Sequence, residues 1–195
     1  MRVTDEKTIK IVEEALLELN FEILSEISNH HANSVSISPK KNNVIRVIPE
    51  RKELGFVGTP TEIKKDTILE IINEKKIPLI VPMGIGEDNN IYNINADVAA
   101  GAIAKELKAR RLLLMTDVEG VLDKSKNLIS EINSSMANEM LKNKTIAGGM
   151  IPKIKTCLDA VNNGVTGVVI VDGRKQHSIL FEIFSDKGAG TLIRK

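Results

Sequence analysis

The sequence predicts an α/β protein, a three-layer α/β/α sandwich with a mainly parallel central sheet. Three short, continuously apolar runs, at 77–82, 111–116 and 167–172, are typical of parallel strands buried on both faces. Segments with the apolar periodicity of helices alternate with these runs, and they lie at about 64–75, 96–108, 134–142, 149–162 and 176–184. This alternation is the pattern of right-handed βαβ units, which place helices against a parallel sheet.

The amino-terminal part of the chain has a different pattern. Apolar residues between 5 and 27 recur at nearly helical spacing, which predicts one or two amphipathic helices. Residues 34–38 alternate polar and apolar side chains, and residues 43–48 are rich in β-branched side chains. Because a polar turn at 39–42 separates these two segments, the sequence predicts a hairpin on a half-exposed sheet edge.

The amino-acid composition argues against nucleic acid and membranes as binding partners. The formal net charge is +1, so the chain has no basic footprint for nucleic acid, and aromatic residues make up only 3% with no Trp to stack on bases. No apolar run reaches the roughly 18–20 residues that cross a bilayer. A single cysteine and a polar start favour a cytoplasmic protein. We therefore expect small-molecule ligands, without nucleic acid or membrane as partners.

Ligands of open α/β sheets bind beyond the carboxyl ends of the strands, where loops lead into helices. The segments that follow the three apolar runs contain glycine together with acidic or amide residues. They are PMGIGEDNN, DVEGVLD and DGRKQH. This composition suits a polar ligand that approaches the backbone closely.

The first candidate region runs from 82 to 107, where a polar NINAD stretch enters an Ala-rich helix. Asn93, Asn95 and Asp97 are expected near the amino terminus of this helix, where N–H groups and the helix dipole favour an anion. The alternative is structural: Asn95 caps the helix, and Asp97 complements its dipole. The sequence leaves both interpretations open.

Two further regions carry polar groups at element ends. In the region 112–123, Thr116 and Asp117 end the apolar strand, where they could meet a ribose or an adenine edge, although Asp is also common in turns. The third region, 145–153, places Gly148 and Gly149 before a helix that carries Lys153 in its first turn. A cation at the positive end of a helix indicates an anion nearby, so this region favours phosphate binding.

The type of phosphate chemistry is limited by the motifs that the sequence lacks. Neither a Walker A loop nor the protein-kinase motif set occurs. Amide and carboxylate groups together with a separate lysine fit phosphoryl transfer, in which a protein mainly orients substrates and neutralises charge. No general base is needed when the acceptor is a carboxylate. The three histidines and Cys157 lack the spacing of a zinc site.

Several motifs occur in a fixed order along nearly the whole chain. They are RVTD at 2–5, ELGFVG at 53–58, the block 84–123, GGMIPK at 148–153 and the segment 171–193. Together they resemble the N-acetylglutamate kinases, which have the amino-acid kinase fold. The resemblance implies a carboxyl-group phosphotransferase that converts N-acetyl-L-glutamate and ATP to N-acetyl-L-glutamyl 5-phosphate in arginine biosynthesis.

The resemblance also implies roles for individual residues. Arg2 and Asn93 would bind the acceptor, Asp97 would organise the catalytic groups, and Lys153 would stabilise the transferring phosphoryl group. Mg²⁺ would be bound through the ATP phosphates, without a metal ligand from the protein. The residues implied in nucleotide binding are Thr116, Asp117, Gly120, Val121, Leu122 and Gly149.

The same resemblance implies two lobes, with residues 1–108 belonging to the acceptor lobe and residues 109–195 forming the nucleotide lobe. Members of the family carry a lysine and two glycine-rich loops before RVTD, whereas this sequence starts at RVTD, so we expect the amino-terminal strands of the fold to be missing. Two alternatives to the kinase stay open: a non-catalytic nucleotide-binding fragment that docks on a full-length kinase, and a kinase for an aminoadipate-type carboxylate. For the complete protein we expect a homo-oligomer.

Overall fold

The structure is a computed structural model that describes residues 3–195, and the chain divides into two compact units between Ile103 and Ala104. The sequence analysis predicted the division after residue 108, just beyond the helix α3, Ala96–Glu106. What each lobe binds stays a prediction. Among the described residues, no helix is both long and apolar enough to cross a membrane. Each unit combines helices with sheets, so the α/β class is confirmed.

The first unit begins with one long helix. Asp5 caps it, because its carboxylate accepts a hydrogen bond from the backbone N–H of Thr8 at 2.7 Å. The prediction of one or two helices is therefore confirmed as a single helix. The elements of this unit before α3 are α1 (Glu6–Asn29), β1 (Ser34–Ile37), β2 (Ile45–Pro49), β3 (Gly58–Ile63), α2 (Lys65–Asn73), β4 (Ile77–Ile80), β5 (Met83–Ile85) and β6 (Ile91–Asn93).

The predicted hairpin over 34–48 is wrong. Strand β1 pairs in parallel with β4, whereas β2 lies in a second sheet of order β3-β2-β5-β6. The turn between them closes on itself, since the N–H groups of Lys41, Asn42 and Asn43 all donate to the carbonyl of Ser38. This compact turn redirects the chain, and the two strands find partners farther along the sequence.

Helix α1 contributes one face to the core of the first unit. Ile9 is buried with Val81 and Met83, and Val12 and Leu16 pack against this cluster from the same helix. The spacing of these α1 residues follows the helical period, so the apolar stripe faces the sheet strands.

The second unit is built on a four-stranded sheet of order β7-β9-β10-β8. Strand β9 pairs in parallel with β7 and antiparallel with β10, and β10 pairs in parallel with β8. The elements after α3 are β7 (Arg111–Thr116), β8 (Glu131–Asn133), α4 (Ser134–Lys142), α5 (Met150–Asn162), β9 (Gly167–Asp172), α6 (Ser178–Phe184) and β10 (Gly190–Arg194).

Burial of the three predicted parallel strands depends on their position in the sheet. All six residues of β9 are buried, as predicted. Strand β7 instead alternates buried and more exposed residues, and β4 is only partly buried. The prediction of burial on both faces is therefore wrong for these two strands, because β7 lies at the end of its sheet and β4 has a single strand partner.

The five predicted helices are present, and α4 has the predicted bounds. Helix α5 begins one residue later than predicted and turns an apolar face toward β9 and β10. Its buried residues include Ile154, Leu158 and the only cysteine of the chain, Cys157, which is fully enclosed. The position of α5 on the sheet therefore fixes where its first turn lies.

A substitution of Gly190 tests whether the close approach of β10 to β9 requires glycine. A Cβ atom on Gly190 would overlap the backbone carbonyl of Ile170, which cannot move without breaking the sheet. We expect Gly190→Ala to lower the free energy of unfolding by about 1–3 kcal/mol or more, measured by urea denaturation. Gly149→Ala is the control, since Gly149 has helical dihedrals and no atom within 4 Å of the added carbon. Equal stability of the two variants would contradict this account.

Candidate active site

The loop after β5 belongs to the first predicted ligand segment. In the structure, the polar groups of this loop form hydrogen bonds with one another. Asp88 accepts hydrogen bonds from the backbone and side chain of Asn90 and from the hydroxyl of Tyr92, the last at 2.7 Å. Burial and the neighbouring carboxylate raise the pKa of Tyr92 to about 12. This loop therefore stabilises the β5–β6 turn through contacts within itself.

The NINAD stretch enters α3 through a side-chain cap. The side chain of Asn95 accepts hydrogen bonds from the N–H groups of Asp97 and Val98, at 3.0 and 3.3 Å. Asn95 is therefore the helix cap, and Asp97 lies in the first turn, where its charge complements the dipole. The structural interpretation is confirmed for Asn95, whereas the role of Asp97 stays a prediction. Asp97 is half-buried.

Asn93 is the last residue of β6. Its backbone N–H donates to the carbonyl of Phe56 at 2.9 Å, and the residue pairs with Met83 of β5. These contacts fix the backbone of Asn93 two residues before the cap of α3. Arg2, the other predicted acceptor ligand, lies outside the described residues.

In the second unit, the segment Thr116 to Leu122 follows β7 directly; we call it the nucleotide loop. Its first residue is fixed by the neighbouring strand, because Thr116 pairs with Asp172 of β9 and its carbonyl accepts a hydrogen bond from Gly173 at 2.8 Å. Asp117 is exposed. The start of the loop is thus held at the carboxyl ends of two parallel strands, where α/β sheets bind ligands.

The far end of the nucleotide loop is held by Thr191 of β10. The buried hydroxyl of Thr191 accepts a hydrogen bond from the N–H of Val121 at 2.8 Å and donates to the carbonyl of Ile129 at 2.6 Å. Gly120 has a φ of +146° and lies against Thr191, so a side chain would be both strained and crowded there. Sequence reasoning missed Thr191; the only signal was a hydroxyl residue beside the apolar residues of β10.

The DGRK segment after β9 contains a tight ion pair. Asp172 is 2% exposed, and its carboxylate accepts from the backbone N–H, Nε and Nη2 of Arg174 at 2.9–3.0 Å. These hydrogen bonds lower the pKa of Asp172 from its ordinary 3.8 to about 2. The sequence singled out this segment as polar but gave no role to either residue.

The glycine pair before α5 is open. Neither Gly148 nor Gly149 has an atom within 4 Å of an added Cβ, and Gly148 has a φ of +55° that favours glycine. No side chain caps α5, and Lys153 lies half-buried in its first turn, as predicted. The space around the glycine pair leaves room for an anion. The N–H groups of Met150 and Ile151 donate to backbone carbonyls of the preceding turn.

A metal site held by the protein itself would need several ligating side chains close together. Within residues 3–195, His, Cys, Asp and Glu side chains form no group of three or more that could hold a metal ion. How a metal ion would be bound stays a prediction.

Comparisons with known proteins agree with this architecture. A model described as the amino acid kinase family matches residues 1–172. The structure also resembles the crystal structure of smu.665 from Streptococcus mutans UA159, with a TM-score of 0.85 and 30% identity over all of this chain and 74% of that one. N-acetylglutamate synthase from Neisseria gonorrhoeae, complexed with coenzyme A and N-acetyl-glutamate, has a TM-score of 0.90 at 20% identity, over all of this chain and 45% of that one. The chain belongs to the amino acid kinase family.

Sequence relatives define the group within the family. Acetylglutamate kinase from Pelagibacter ubique is 56% identical over 195 residues, which is all of this chain and 68% of that protein. The enzyme of the same name from Campylobacter fetus is 44% identical over all of this chain and 70% of its own length. Within the family, the chain falls in the acetylglutamate kinase group.

The ion pair of Asp172 predicts a dependence of stability on pH. A carboxylate with a lowered pKa stabilises the folded state above its ordinary pKa, and this contribution is lost as the pH falls through the folded value. We expect Asp172→Asn to be less stable than the wild type at pH 7, and the difference to shrink between about pH 4 and about pH 2. Urea denaturation at several pH values measures it. Asp186→Asn, which removes an exposed carboxylate of the same unit, is the control, and a difference that does not depend on pH would contradict the assignment.

Proposed function

We propose that this chain phosphorylates the γ-carboxylate of N-acetyl-L-glutamate with ATP, giving N-acetyl-L-glutamyl 5-phosphate and ADP in arginine biosynthesis. The observation that carries the proposal is the 56% identity to an acetylglutamate kinase over all 195 residues. The positions of Asp97 and Lys153 in the first turns of two helices support it. A cytoplasmic location is part of the proposal, because ATP and amino-acid intermediates are available there.

In this reaction the protein orients the two substrates and neutralises the charge of the transferring phosphoryl group. A carboxylate oxygen of the acceptor attacks the γ-phosphorus, and the bond from that phosphorus to the oxygen of the leaving ADP breaks. The acceptor is ionised at neutral pH, so no residue has to remove a proton. Lys153 stabilises the negative charge of the transferring phosphoryl group from the first turn of α5.

The acceptor is assigned to the first unit. Asn93 donates from its amide to the substrate, and Arg2 binds a carboxylate of N-acetylglutamate through its planar guanidinium. Asp97, fixed by the capped start of α3, accepts hydrogen bonds from catalytic cations and so sets their positions. The backbone contact of Asn93 with Phe56 supports this assignment, since it fixes the side chain's point of attachment.

The nucleotide is assigned to the second unit. Thr116, Asp117 and the loop residues Gly120, Val121 and Leu122 line the ribose and base end of ATP. The open backbone at Gly149 accommodates a phosphate, which a side chain would obstruct. Mg²⁺ bound through the ATP phosphates would neutralise part of their charge. The two anchored ends of the nucleotide loop support this assignment.

Lys153 offers the direct test of the proposed reaction. We expect Lys153→Met to lower kcat for ADP release by on the order of 100-fold or more, because the charge of the phosphoryl group loses its cation. Lys155→Met, which removes an exposed cation two residues farther along α5, is the matched control and should keep wild-type activity. A coupled ADP-release assay with N-acetylglutamate, ATP and Mg²⁺ measures both variants.

The outcomes of this assay separate the alternatives. Nucleotide binding without turnover in the wild-type chain would favour the non-catalytic, nucleotide-binding alternative. Turnover only with an aminoadipate-type carboxylate would overturn the choice of acceptor. Equal activity of the two lysine variants would remove Lys153 from the mechanism.

Self-association is proposed from the outer face of α1. This helix leaves large apolar side chains exposed, including Ile11, Leu19 and Phe21, of which Phe21 is 70% exposed. A second copy of the chain would cover them. We expect light scattering to give a mass above the 21.4 kDa of one chain, and Phe21→Glu to lower it. Lys142→Ala, which changes an exposed residue outside α1, is the control. A wild-type mass of one chain would contradict the proposal.

A further inference from the structure

We propose that Arg174, anchored on the buried carboxylate of Asp172, and the adjacent Lys175 are positioning residues that hold the nucleotide loop in its ligand-binding conformation. The inference rests on the proposed function, because it concerns the nucleotide site named there. It adds two residues that neither the motifs nor the site assignment had given a role. The ligand part they serve is the nucleoside end of the nucleotide.

The first step of the argument is the anchor. Asp172 ends β9 and is almost completely buried, so its charge must be paired inside the protein. The Nε and Nη2 groups of Arg174 each donate a hydrogen bond to this carboxylate. The arginine side chain is 64% exposed, but the two hydrogen bonds fix its orientation. The buried carboxylate therefore turns a surface arginine into a rigid cation at the strand end.

The second step is the link to the neighbouring loop. Lys175 reaches across and pairs with Glu119 of the nucleotide loop at 2.9 Å. The carboxylates of Asp117 and Glu119 also lie close enough to Arg174 to raise its pKa further. The DGRK segment thus contacts the middle of the nucleotide loop, between the anchor at Thr116 and the anchor at Val121.

The third step is why this middle part needs support. Asp117, Val118 and Glu119 are all exposed, so burial does little to fix their conformation. Ordering such residues when a ligand binds lowers affinity, whereas a loop that is already held loses less entropy. The cations of the DGRK segment hold the loop before the ligand arrives.

The charge of the cluster selects the part of the nucleotide that it meets. Three carboxylates, those of Asp117, Glu119 and Asp172, face two cations, those of Arg174 and Lys175, so the cluster has one net negative charge. Such a cluster repels phosphate and suits the hydroxyl groups of a ribose or the polar edge of a base. The phosphates would then lie away from it.

Nucleotide binding to the whole chain tests the inference. Competition against a fluorescent ATP analogue gives Kd for ATP, ADP and adenosine. We expect Lys175→Met and Glu119→Gln to weaken binding about two- to fivefold, the range of an exposed ion pair, and Arg174→Met to weaken it about tenfold. The loss should be equal for the three ligands, because all of them share the nucleoside. Lys142→Met, which removes an exposed lysine at the end of α4, is the control.

A charge reversal separates positioning from general stability. The double variant Glu119→Lys with Lys175→Glu should recover most of the lost affinity, since it restores the ion pair with opposite polarity. Arg174→Lys keeps the charge without the two-pronged contact, so it should bind nucleotide less well than the wild type while keeping its fold. Unfolding temperatures identify any variant that fails to fold.

Three results would overturn the inference. One is unchanged affinity in Arg174→Met and Lys175→Met while the wild type binds. Another is a loss confined to ATP and ADP, which would assign these cations to the phosphates. The third is a failure of the reversed pair to recover affinity although it is folded. A wild-type chain that binds none of the three ligands would instead overturn the proposed function, and the inference with it.

Discussion

The burial of strand β9 between β7 and β10 is the constraint on which the second unit depends. Every residue of β9 is enclosed, and its backbone approaches β10 so closely that only glycine fits at position 190. Such packing leaves no room for a polar side chain within the strand, so the first carboxylate lies at its end, at Asp172. The polar chemistry of the unit is therefore concentrated where β9 and β7 stop together.

The sequence predicted those parts of the fold that local patterns determine. The apolar run of β9 and the bounds of α4 follow from composition and helical periodicity, and both were correct. The hairpin over 34–48 failed because strand pairing is a tertiary property: β1 pairs with β4, about forty residues away, and no local pattern encodes that distance. Burial on both faces was overestimated for β7 because a single run of residues does not reveal which strand ends a sheet.

The candidate site was predictable to a different degree. Motif order predicted Asp97, Thr116 and Lys153 as site residues, and helix electrostatics alone favoured a functional role for Lys153. The groups that hold the nucleotide loop in place were not predicted, because their partners are distant in sequence. Thr191 reaches back seventy residues to Val121, and the link from Lys175 to Glu119 spans fifty-six. A sequence suggests which residues react more readily than it suggests which residues hold them.

The buried thiol of Cys157 can be used to measure how often the second unit opens. Because it is the only cysteine and lies in the core between α5 and the sheet, a thiol reagent reaches it only when that core separates. The rate of modification in native buffer therefore measures how often the second unit opens, without any substitution. A nucleotide that binds this unit only in its closed form would slow the modification in proportion to its occupancy. Mass spectrometry of the unaltered chain can thus follow both the opening of the second unit and its ligand occupancy through the rate at which Cys157 is modified.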